Sequence, residues 1–177
     1  MKHIIGALFG ILISTFLFAQ DYKPTDAGSA IDFVIKNFGL NSKGSFSGID
    51  GKIKFDPANS GGSSFDVSIA ANSVNTDNET RDSHLKKESY FDVEKYPRIR
   101  LVSTSIAGGN GKYTFNGKLT IKDKTKDLSF PFIVTAMGDD VIFKGSFIIN
   151  RRDFEVGGGS TLSNNVTVNL TVLAKKQ

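Results

Sequence analysis

The chain has 177 residues, enough for one domain with a substantial core and short for two. It has no cysteine, which excludes disulfides, thiolate metal sites and cysteine nucleophiles. The formal net charge of +4 comes from basic residues interleaved with acidic ones, as in Lys122-Asp123-Lys124. Such mixing describes the wet face of a sheet and not a nucleic-acid track, so no nucleic-acid partner is expected.

At the N-terminus, Lys2 and His3 precede an apolar run from Ile4 to Phe18 and then Ala19. A basic start, a short apolar stretch and a small residue make a secretory signal peptide. The run is short for a bilayer span, which needs roughly 20 apolar residues; a single-pass anchor is the alternative. The expected division is residues 1–19 as a signal peptide and 20–177 as the mature domain. That places the protein, soluble, in the periplasm or outside the cell.

After a polar lead-in from Asp21 to Gly28 the chain reads in twos. Apolar alternation predicts eight strands near 29–38, 44–56, 64–74, 98–107, 112–122, 126–137, 140–151 and 164–175. Short links such as Gly138-Asp139 favour antiparallel neighbours. Gly48, Gly51, Gly117 and Gly145 fall inside strand patterns, where bulges or bends are expected. Pro131 must place its missing N–H at an unpaired position. Between Val74 and Pro97 the alternation stops, and Glu79 to Glu88 suits a helix of about three turns with Asn75–Asn78 offering caps. The fold class expected is all-β: an eight-stranded antiparallel up-and-down barrel with one short helix before the fourth strand. A two-sheet sandwich is the runner-up.

His84 is the last histidine in the chain, and Asp77, Glu79 and Asp82 lack the spacing of a calcium loop, so no metal is expected. No Gly-x-Ser-x-Gly elbow occurs. Gly157-Gly158-Gly159 opens no helix and reads as a hairpin loop, not a phosphate cradle. Arg81, Asp82 and His84 are expected to pair with one another or with backbone, pinning the helix to the barrel. Arg81 and His84 are also candidates for contact with a ligand head group. An acid–base pair of Asp82 and His84 is the enzymatic alternative.

Phenylalanine is in excess, 15 in all, and outside the N-terminal run most fall in predicted strands. The inward parity assigns Phe33 and Ile35 from the first strand, then Phe46, Ile53 and Phe55 from the second. Phe65, Val67 and Ile69 follow from the third, and Leu101 from the fourth. Phe115 and Leu119, Phe130 and Phe132, Phe143 and Phe147, and Val168 complete the set. These residues either fill a core or line an apolar cavity; parity alone does not separate the two.

The stretch Ser73-Val74-Asn75-Thr76, Arg81-Asp82, His84-Leu85, Phe91-Asp92-Val93-Glu94-Lys95-Tyr96-Pro97, with Ile99 and Ser103, resembles the signature of the YceI-like family of polyisoprenoid-binding, lipocalin-like proteins. "GSFSGIDGKIKFDP", "GKLTIKDKTKDLSFP" and "FKGSFIINRRDFEVGG" resemble its second strand, a central hairpin and a late strand. Two places depart: Lys36-Asn37-Phe38 stands where members often carry a histidine, and Ser89-Tyr90-Phe91-Asp92 replaces Asp-Phe-Phe-Asp. The resemblance implies an extended barrel whose channel takes an isoprenoid chain, as in a polyprenyl phosphate or a quinone tail. It implies lipid transport or storage without catalysis or cofactor. The net positive charge of the chain separately allows transient contact with an anionic membrane. A scaffold or stress-response protein with a filled barrel is the other reading.

Overall fold

A strand with one apolar parity must bury that face, and a sheet that closes on itself does so without leaving an edge. The computed structural model describes residues 19–159 and 161–177. The apolar run read as a signal peptide lies outside them. The strands are β1 (Gln20–Asn37), β2 (Leu40–Phe46), β3 (Asp50–Phe55), β4 (Ser64–Ala70), β5 (Arg98–Gly109), β6 (Lys112–Ile121), β7 (Lys124–Met137), β8 (Asp140–Asn150) and β9 (Leu162–Lys176). One short helix, α1 (Glu79–Leu85), lies between β4 and β5. Every pairing is antiparallel, and β9 closes onto β1 from Tyr22–Lys176 to Asn37–Leu162.

β2 and β3 occupy one strand position: β1 pairs β2 over Ile31–Asn37 and β3 over Gln20–Tyr22 on its same edge. The barrel is therefore eight-stranded, with the strand expected at 44–56 interrupted at Ser47–Ile49. The cause lies across the sheet. β1 bulges between Thr25 and Ala30. There the Asp26 carboxylate accepts from the N–H groups of Gly48 (3.1 Å) and Ile49 (2.9 Å). A side chain replaces the strand carbonyl, and Gly48 takes a φ of 71° that other residues resist. The inward parity changes there, from Phe46 before the break to Ile53 after it. β1 also starts earlier than the alternation indicates, because the polar lead-in pairs through its backbone and buries Tyr22 and Pro24.

The other expected irregularities resolve individually. The bulge near Gly117 belongs to its partner strand, between Ser103 and Ser105. Gly145 is no bulge; a Cβ there would come within 2.9 Å of the Phe130 ring, so it makes room for an aromatic side chain. Val134 donates to Gly111 O on the β6 side. By alternation Pro131 turns its nitrogen toward β8, just past the end of the β7–β8 ladder at Phe132–Gly145.

α1 has seven residues, shorter than the three turns expected. The Asn78 side chain caps it by accepting from Arg81 N–H at 2.9 Å. It ends early because Tyr90, Phe91 and Val93 turn inward to pack against Ala71, Ile99, Ile121 and Phe154. Phe91 meets Phe46 edge-on at 5.4 Å, which ties this segment to β2.

Candidate functional site: an apolar cavity in the barrel

The barrel interior is filled at one end and hollow toward the other. At the closed end Phe55, 2% exposed, meets Tyr113 at 5.1 Å, Phe143 at 5.4 Å and Phe65 at 6.4 Å, all edge to face. Tyr22, Ile106 and Ala174 complete this floor. Above it lies a cavity of about 240 Å³ with an almost entirely apolar wall. On the same measure one water needs roughly 10–15 Å³, so the space is far larger than a packing defect.

Alternate residues of all the strand positions build the wall. β1 gives Phe33 and Ile35; β2 gives Phe46; β3 gives Ile53; β4 gives Phe65, Val67 and Ile69; β5 gives Leu101. β6 supplies Phe115 and Leu119, β7 Phe130 and Phe132, β8 Phe143 and Phe147, and β9 Val168. Along β9 the lining runs from Leu162 to Val172. At about 3.3 Å per residue that is roughly 33 Å of strand, or about 25 Å along an axis to which strands tilt by about 40°.

Two expected lining residues stand elsewhere. Phe55 shares the parity of Ile53 but lies below the cavity and forms its floor. His84 lies exposed on α1 and is not among the lining residues, although Arg81 one turn earlier is.

The mouth is held by a clasp centred on Thr76, which is 6% exposed. Arg81 donates through Nε to Thr76 Oγ1 (2.7 Å) and through Nη2 to Thr76 O (2.6 Å). Asp82 accepts from the Thr76 N–H (2.9 Å) and from its hydroxyl. Arg81 and Asp82 are thus joined through Thr76 and not by a direct ion pair. Asn75 ties the clasp to β2 by exchanging backbone hydrogen bonds with Ser45 at 2.8 and 3.0 Å. Arg81 lines the cavity, and its Nη1 takes no part in the clasp.

Sequence reasoning missed Arg151, a second guanidinium in the wall. It is 4% exposed and donates to the carbonyls of Ser163 (2.9 Å), Val156 (2.7 Å), Gly158 (3.2 Å) and Leu162 (3.0 Å). It folds the glycine loop back over the barrel rim. Burial, with the neighbouring charge of Arg152, lowers its pKa from the ordinary arginine value. Its sequence signal was its place on the inward parity of Phe147 and Ile149. Among the described residues no group of three His, Asp and Glu side chains is disposed to hold a metal.

A YceI-like domain model matches residues 22–174. A UPF0312 protein of Shewanella denitrificans is 31% identical over 192 aligned positions, covering 99% of each chain. The crystal structure of BcnA from Burkholderia cenocepacia is similar with a TM-score of 0.81 and 29% identity, over 86% of this chain and 99% of that one. A polyisoprenoid binding domain from Saccharophagus degradans, 15% identical, shares the fold with a TM-score of 0.73 over 90% of this chain and 99% of its own. Together with the barrel, its short helix and its hollow interior, the match places this chain in the YceI-like domain family.

Proposed function

We propose that the protein is an exported, non-catalytic carrier or store of an isoprenoid-type lipid, a polyprenyl phosphate or a quinone, held in the barrel cavity. The observation that carries this reading is the cavity itself: long, apolar and floored by aromatic rings. A chain of hydrocarbon removed from water gains about 0.8 kcal/mol per CH₂, and a preformed wall adds little ordering cost. The ligand named for the Saccharophagus domain supports the same class. Arg81 at the mouth offers a cation to an anionic head group. Asp82 is engaged by Thr76 and His84 is exposed away from the lining, so no acid–base pair of these two faces the cavity. The cavity also speaks against the filled-barrel scaffold reading. Export rests on the N-terminal run.

Titration of delipidated protein with a long-tailed quinone and with a polyprenyl phosphate tests the binding. Saturable one-to-one uptake of either is expected, with Arg81→Gln weakening the phosphate more than the quinone. Uptake of neither overturns the reading. Mass measurement of the protein from fractionated cells, expected to start at Gln20, tests export separately.

A further inference from the structure

Single exposed apolar residues are ordinary on a protein surface, but the β1–β2 hairpin places two large ones together. Phe38 is 80% and Leu40 77% exposed, on either side of Gly39. Phe38 has φ 49° and Gly39 φ 81°. Two consecutive left-handed residues suit a two-residue hairpin, but asparagine or glycine usually takes the first place, and a bulky residue there is strained. Neither burial nor turn chemistry accounts for a phenylalanine here.

The tip stands on the rim of the cavity. Ile35 and Ser42, one step back in the hairpin, line it, and Asn37 pairs with Leu162, which also lines it. From Lys36 to Lys43 there is no acidic residue, and both lysines are exposed. The β7–β8 turn at the opposite, closed end carries Asp139 and Asp140 instead.

We propose that this tip docks the open mouth on a bilayer containing anionic lipid. Phe38 and Leu40 enter the interface while Lys36 and Lys43 meet the head groups, so the cavity faces the leaflet that supplies its ligand. The inference rests on the lipid-carrier reading. A second copy of the chain is the poorer occupant: two side chains offer far less than the roughly 1,200–2,000 Å² of a stable interface, and the lysines of two tips would repel.

The chain has no tryptophan, so Phe38→Trp gives a single fluorescent reporter. With vesicles of phosphatidylethanolamine and phosphatidylglycerol, its emission should shift to the blue and be quenched by acyl-brominated lipid, less so at high salt. Phe38→Asp with Leu40→Asp should lower vesicle partition roughly a hundredfold and slow quinone transfer between vesicles, while quinone affinity in solution stays unchanged. An indole emission from the Phe38→Trp variant that is indifferent to vesicles overturns the proposal. So does a blue shift that follows protein concentration without vesicles and accompanies a doubled mass, which assigns the tip to self-association. Vesicle insertion without any quinone uptake upholds the docking and removes the carrier reading.

Discussion

Obstructing the cavity halfway down should separate long ligands from short ones. Val67 lies on β4 between Phe65, at the floor, and Ile69, toward the mouth, and all three line the space. Val67→Trp projects an indole into the void. Because about 240 Å³ is open there, the substitution should cost less than the roughly 1–3 kcal/mol of overpacking a filled core. A long isoprenoid tail then loses the deep part of its site. If four or five methylene equivalents stay in water, the loss is about 3–4 kcal/mol at roughly 0.8 kcal/mol each, or about 10²–10³-fold in affinity. Titration with a long-tailed quinone and a short-tailed analogue reads the effect directly, and the new tryptophan reports occupancy. The long ligand should weaken by that factor while the short one, held near the mouth, changes little. Unaltered affinity for the long quinone in a folded variant would refute the placement of the chain along the barrel axis.

Four further outcomes follow from the packing and the charges. Phe55→Ala removes the ring that closes the floor and should destabilise the protein by about 3–5 kcal/mol, seen as a lower denaturant midpoint. Thr76→Val takes away the hydroxyl shared by Arg81 and Asp82 and should cost about 1–3 kcal/mol, with faster amide exchange across residues 75–85. Burial, with Asp139 and Asp140 adding to it, raises the pKa of the Tyr22 phenol. Its neutral form is favoured by folding, so its contribution is complete below about pH 10 and is lost as pH rises through the folded value. Thermal midpoints from neutral to strongly alkaline pH should fall more steeply for the native chain than for Tyr22→Phe. At the acid end, the hydrogen bond from Arg100 lowers the pKa of Asp66, with burial opposing. That contribution is present above about pH 4 and is lost below it. Arg100→Gln should flatten the acid limb by well under about 1 kcal/mol, since both side chains are exposed.

The alternation of Phe115, Leu119 and their counterparts specifies which side of each strand is buried, because the side-chain period of a strand is two and nothing else competes with it. What parity does not encode is height along the barrel. Phe55 and Ile53 share a parity, yet one is floor and the other wall. The interruption at Ser47–Ile49 depends on Asp26 reaching over from a bulge in β1, a contact between residues more than twenty apart. The strand character of Gln20–Gly28 rests on backbone pairing, which polar side chains do not advertise. Arg81 and His84 are three residues apart on a helix, so spacing alone makes them equivalents. Thr76, beyond the helix start, turns one toward the mouth and leaves the other in solvent. Arg151 was hidden for a similar reason: its carbonyl partners, Val156 and Gly158 in the glycine loop and Leu162 and Ser163 at the start of β9, follow no spacing that the sequence displays.

If the barrel carries an isoprenoid-type lipid, the protein should leave the cell with one bound. Native mass spectrometry of protein purified without denaturant from the cells that make it, followed by solvent extraction of what it holds, reads this out. One extra mass per chain that resolves to an isoprenoid is expected. A bare mass that stays bare after incubation with quinones and polyprenyl phosphates would contradict it.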